Sequence, residues 1–182
     1  MSRKQSAENW LLLGGQQMST TEIYAIEKIG DVTPYSSAQN SWLGGMHVWN
    51  SLSDKYGFDD SLMSGFNKTW GNFNKGIYED YENVVLGSTF DHIIVLKENF
   101  DQLLMSFKKY YDVYPNSNFG QQIEVIETMK ADENVIGVAW CQTSVADDLW
   151  DFCYDEEQDE TIPYNIFKGE NHGNLFDLLE AE

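Results

Sequence analysis

Residues 134–141 read Asn134-Val135-Ile136-Gly137-Val138-Ala139-Trp140-Cys141. This run is too short for a typical helix, is rich in β-branched and aromatic residues, and has polar chain on both sides: Asp132-Glu133 before it, Gln142-Thr143-Ser144 after it. Those three features predict a buried strand. Immediately upstream the apolar spacing changes to that of a helix, with Phe119, Ile123, Ile126 and Met129. A second helix opens at Glu98 or Asn99. It carries Phe100, Leu103, Leu104, Phe107, Tyr111 and Tyr114 on one side and ends at Pro115.

Further back, Thr89 to Leu96, with Phe90, Ile93, Ile94 and Val95, predicts another buried strand. Residues 71–88 are rich in Gly and Asn and read as loop. Asp59 or Asp60 can cap a short helix through Leu62, Met63, Phe66 and Trp70. Ser36 or Ser37 can cap a longer one, with Ala38, Trp42, Met46, Trp49, Leu52 and Tyr56 on its apolar face and Gly57 as its stop. Gly44-Gly45 inside that helix would cost about 2 kcal/mol of propensity relative to two alanines; a closely packed backbone or a kink would account for it. Ile23, Tyr24, Ala25, Ile26 and Ile29 suggest a first strand, ended by Gly30-Asp31. The order is β-α-α-β-α-α-β. It predicts an α+β domain with a small three-stranded sheet covered by helices, followed by an acidic aromatic segment and a short helix over 174–180.

Residues 1–17 differ in character from the rest, and Met18-Ser19-Thr20-Thr21-Glu22 reads as a fresh start. Gly14-Gly15-Gln16-Gln17 before Met18 can be encoded as a purine-rich ribosome-binding site. The expectation is a leader or mobile N-terminus over 1–17 and one domain over 18–182.

The chain carries 30 acids against 11 bases, a net charge of −19, and its only arginine is Arg3. Binding to nucleic acid needs Lys and Arg to displace phosphate counterions and Arg to read base edges, so direct nucleic-acid binding is not expected. An anionic membrane surface would repel the chain, and no apolar run reaches the ~18 residues of a span. The expected location is the cytoplasm of a bacterial host cell. Solubility alone accounts for part of this acidity.

The acids concentrate near the C-terminus. Asp147, Asp148, Asp151, Asp155, Glu156, Glu157, Asp159 and Glu160 fall in one stretch with no base between them. A solvated acidic tail is the plain reading of such a stretch. Leu149, Trp150, Phe152 and Tyr154 lie among these acids, however, and Ile162, Pro163, Tyr164, Ile166 and Phe167 follow them, enough to anchor the segment. An anchored carboxylate array suits a groove of Lys and Arg and speeds encounter with a basic protein. Trp150 and Tyr154 are candidate anchors in the partner. Glu156-Glu157-Gln158-Asp159 lacks the alternating ligands and central Gly of a calcium loop.

The sequence offers no catalytic constellation. His47, His92 and His172 stand in no metal-ligand spacing. Cys141 as a thiol nucleophile is a weak alternative to a buried core thiol, and Cys153 adds neither a disulfide framework nor a metal pattern. Asp91-His92 and Glu79-Asp80-Tyr81-Glu82 read as surface charges. Trp42, Trp49, Trp140 and Trp150 read as mostly core, whereas Trp70 and Phe73, in an Asn/Gly-rich stretch, are the better candidates for exposure. No cofactor is expected, and the oligomeric state is not legible.

In size and acidity, and in the stretches WLGGMHVW (Trp42–Trp49) and VAWCQTSV (Val138–Val145), the chain resembles the small anti-CRISPR proteins of phages and mobile elements, in particular the type II-A group. Those proteins share no common fold. The resemblance implies a CRISPR effector nuclease with its guide RNA as the partner. Such an enzyme holds its heteroduplex in a basic channel and reads a short flanking motif with arginines. An acidic inhibitor would block DNA loading there, or stop the nuclease domain from docking. The expected function is thus that of an acidic protein inhibitor of a nucleic-acid-processing enzyme, by nucleic-acid mimicry. An immunity or antitoxin-like module against a basic toxin is the alternative, and a small enzyme using Cys141 comes after it.

Overall fold

The strand expected at 134–141 forms the middle of the sheet. In the computed structural model of the chain, residues 20–28, 32–39, 45–58, 68–90, 92–115, 119–142, 154–155 and 160–171 are described. The elements are β1 (Thr20–Glu27), β2 (Val32–Gln39), α1 (Gly45–Tyr56), α2 (Asp80–Gly87), β3 (His92–Leu96), α3 (Phe100–Val113, entered through a 3₁₀ turn at Lys97–Asn99), α4 (Gly120–Ala131) and β4 (Val135–Gln142). Four two-residue strands follow: β5 (Tyr154–Asp155), β6 (Glu160–Thr161), β7 (Tyr164–Asn165) and β8 (Glu170–Asn171). Among the described residues the main sheet has six strands in the order β2-β1-β4-β3-β7-β8, and β5 pairs with β6 in a separate ladder. All pairings are antiparallel except that of β3 with β7, so the main sheet is mixed. The α+β class agrees with the sequence.

The register explains why the strand sequences are continuously apolar. Ile23, Trp140 and Ile93 lie in one row across β1, β4 and β3, and Ala25, Val138 and Val95 in the next. All six belong to the hydrophobic cluster formed with the helices. Tyr24, Ala139 and Ile94, one residue on, point to the other face by the two-residue period of a strand and are buried as well. Burial on both faces removes the polar alternation of a half-exposed strand. Gly137 is needed because a Cβ there would lie 3.2 Å from the Val95 carbonyl oxygen and 3.4 Å from Ile26 Cδ1. On the helical side Val48 and Leu52 of α1, Val85 and Leu86 of α2, Phe100, Leu103 and Phe107 of α3, and Ile126 and Met129 of α4 are buried.

The structure corrects several expectations. The sheet has three strands beyond the expected three, which are its contiguous β1-β4-β3 part. Residues 32–39 do not open a helix; they form β2, an antiparallel partner of β1. Pro34 and the serines read as a helix entry, but Pro34 occupies an edge strand, where its missing N–H does no harm. The register steps from Ile23↔Ser36 to Tyr24↔Pro34, so Tyr35 is the extra residue of a bulge. Helix α1 therefore starts at Gly45, and Gly45 sits at its first position instead of within it. Ala38 belongs to β2, and the buried stripe of α1 is centred on Val48 and Leu52.

The expected loop over 71–88 contains α2, opened by a capping box between Glu79 and Glu82. Strand β3 starts at His92 because Thr89 and Phe90 donate to the carbonyls of Leu86 and Gly87 in the turn that ends α2. Tyr111 is exposed, although the helical pattern put it on the buried side. Trp70 and Phe73 are packed against the core. Trp70 lies 4.2 Å from Phe90 between ring centroids, and Phe73 lies 5.8 Å from Phe90. The proposed leader, most of the second predicted helix, Trp42, Trp150, His172, Cys153 and the predicted terminal helix lie outside the described residues.

Candidate functional site

Of the residues expected to meet a partner, Tyr154, Asp155 and Glu160 are among those described; Asp147, Asp148, Trp150, Asp151, Glu156, Glu157 and Asp159 lie outside them. Strands β5 and β6 pair antiparallel, Tyr154 with Thr161 and Asp155 with Glu160. The ladder thus sets two acids directly opposite each other, and the connection between them is Glu156-Glu157-Gln158-Asp159. Like charges at opposed ladder positions are destabilising, and an isolated two-stranded ladder is marginal in water.

The chain leaves this hairpin through partly buried Ile162 and buried Pro163 and enters β7. There Tyr164 and Asn165 pair with Ile93 and Ile94 of β3. Asn165 is buried; its Oδ1 accepts from the N–H of Phe167 (3.0 Å) and of Lys168 (3.2 Å), and its carbonyl accepts from the N–H of Gly169. Gly169 has φ +72°, a conformation that favours glycine. Tyr164 stacks near Phe90, with ring centroids 5.1 Å apart. The apolar residues after the acidic stretch therefore anchor the C-terminal end of the hairpin to the sheet.

A second charged constellation lies at the start of α2. Glu82, expected at the surface, is fully buried. Its Oε1 accepts from Lys55 Nζ (2.7 Å) and Tyr81 Oη (3.3 Å), and its Oε2 from Tyr56 Oη (2.5 Å) and the Glu79 N–H (3.2 Å). Lys55 also reaches Glu79 at 2.9 Å, and Lys109 of α3 meets Glu79 at 3.3 Å while its ammonium lies 4.1 Å from the Tyr81 ring centroid. Burial alone would lower the Lys55 ammonium, but hydrogen bonds to Glu82 and Glu79 outweigh it and hold it far above the usual lysine range. Burial, joined by the hydrogen bond to Glu82 and its charge, raises the Tyr56 phenol. Burial and the charge of Glu82 push Tyr81 up to about 12. Hydrogen bonds from Lys55 and Lys109 lower the Glu79 carboxyl.

Four protein donors occupy the roughly four acceptor positions of the Glu82 carboxylate, so no lone pair is left to take a substrate proton. The arrangement pins α1, α2 and α3 together. Two of its donors, Lys55 and Tyr56, stand more than twenty residues upstream, so sequence spacing could not reveal it; the glutamate three residues after Glu79 was the one local signal.

Among the described residues His47 is exposed, and no group of three or more His, Cys, Asp or Glu is placed to hold a metal ion. Cys141 is the penultimate residue of β4, paired in register with Glu22 and His92. No described helix is long and apolar enough to cross a membrane. Comparison with family models, with curated proteins and with solved structures finds no match to the chain.

Proposed function

We propose that the protein is a stoichiometric inhibitor that presents the carboxylates of 147–160 to a basic, nucleic-acid-processing enzyme, and that this enzyme is a type II CRISPR effector nuclease with its guide RNA. The observation that carries this reading is the β5–β6 ladder, which opposes Asp155 to Glu160 and runs through Ile162-Pro163 into the sheet. Two acids at opposed ladder positions favour a cation between them. An arginine or lysine of a partner would relieve the repulsion and pair with both carboxylates. The stretch 143–182 holds twelve acids and Lys168 as its one base, and so carries −11 of the net charge of −19. The resemblance to type II-A anti-CRISPR proteins supplies the identity of the partner.

The test is DNA cleavage by a guide-loaded type II effector in the presence of the protein and of an Asp155→Lys, Glu156→Lys, Glu157→Lys triple variant. The expected result is salt-sensitive binding and loss of cleavage with the wild type, and at least about a tenfold weaker effect with the triple variant. Unchanged inhibition by a folded triple variant would remove the site. Absence of any binding at low salt would remove the target.

A further inference from the structure

We infer that the exposed face of α3 is a self-association surface, on which a second copy of the chain packs its own α3 antiparallel about a two-fold axis at Met105. Met105 is 63% exposed, the highest value among the exposed large hydrophobics of the described residues, and Val113 on the same helix is 50% exposed. Asp101, Met105 and Lys109 follow at intervals of four, so they form one ridge along the helix. Met105 borders two grooves, of about 460 Å³ toward α2 and about 550 Å³ toward α4. A ridge flanked by grooves is the shape that helix-on-helix packing uses.

Charge selects the occupant. A chain of net charge −19 repels its own copies over most of its surface. The α4-side groove is balanced, with Asp101, Asp112 and Glu127 against Lys108, Lys109 and Lys130. Two copies can approach there without net repulsion. The balance is also self-complementary. Asp101 and Lys109 stand about 6 Å to either side of Met105 along the helix. Rotation about a two-fold axis at Met105 therefore brings Asp101 of each copy to Lys109 of the other and stacks the two methionines. Asp101 already pairs with Lys130, and Lys109 with Glu79, yet 80% of the Asp101 side chain and 54% of that of Lys109 stay exposed, leaving room for a second partner at each. The like-charged match of Asp112 with Glu98 falls about 10 Å from the axis, where helices crossed near −50° have diverged. This inference concerns the protein alone and is independent of the acidic hairpin.

Sedimentation velocity of the full chain across a concentration series tests it. The wild type is expected to show a reversible dimer, and Met105→Glu to raise its dissociation constant at least about tenfold. Asp101→Lys and Lys109→Asp, each alone, place like charges opposite each other twice and are expected to be monomeric. Mixed in equal amounts they restore both opposite-charge pairs and are expected to form a heterodimer. Circular dichroism of each variant separates lost pairing from lost fold. A wild type that stays monomeric throughout, a dimer indifferent to Met105→Glu, or folded single variants that fail to associate when mixed would each overturn the inference.

Discussion

Glu82 shows how far one residue's role can depart from its local sequence. In the run Glu79-Asp80-Tyr81-Glu82 only its place three residues after Glu79 sets the last glutamate apart from the exposed acids Glu79 and Asp80, yet it is buried beneath two tyrosine hydroxyls and an ammonium group. A carboxylate buried this way is tolerable only because the donors surround it. Glu82→Ala would leave the Tyr56 hydroxyl and the Lys55 ammonium without that acceptor. The expected loss is about 2–4 kcal/mol, toward the lower end because Lys55 is one-third exposed and can rehydrate. Glu82→Gln, which keeps an acceptor and loses the charge, is expected to cost less. Urea unfolding of both variants measures this, and equal stability of the wild type and Glu82→Ala would show that the pair contributes nothing. The candidate partner residues were legible for the opposite reason: an excess of acids with no base between them can be read directly, whatever the fold.

Among the elements, the central strands β3 and β4 were the most legible and the turn-bound helix α2 among the least. β3 and β4 announce themselves through unbroken apolar runs, which double-sided burial demands. α2 lies in a stretch punctuated by Gly and Asn, and Gly87 ends it for a tertiary reason. A Cβ at Gly87 would stand 3.0 Å from the Phe73 ring and 3.1 Å from Ile166 Cγ2. Phe73 is confined by Trp70, Phe90 and Tyr164, so it cannot withdraw. Gly87→Ala, which in a free helix would stabilise by up to about 1 kcal/mol, is expected instead to destabilise by about 1–2 kcal/mol. A melting temperature above that of the wild type would show that the aromatic cluster yields. β2 was misread because Pro34 followed by serines serves a helix entry and an edge strand equally well; only the neighbouring β1, with its row of unpaired backbone groups, selects the strand.

At the scale of the whole molecule, a charge of −19 works against compactness and for encounter with a basic partner. Salt should therefore act in opposite directions on the two. As the Debye length falls from about 30 Å to about 10 Å, the melting temperature is expected to rise by about 2–4 °C, while affinity for a basic partner falls. Calorimetry of the free protein over that range checks the first part, and a falling melting temperature would mean that the ion pairs on α2, α3 and α4 outweigh the general repulsion. The sequence by itself determined the α+β class, the three central strands, three of the helices and the concentration of acids, because periodicity, runs and charge are local properties. Only the tertiary structure decided the mixed six-stranded sheet, the edge role of residues 32–39, the burial of Glu82 and the anchoring of the acidic hairpin through β7. Each of these depends on which distant group completes a hydrogen-bond ladder or fills a cavity, and that choice is made when the chain closes on itself.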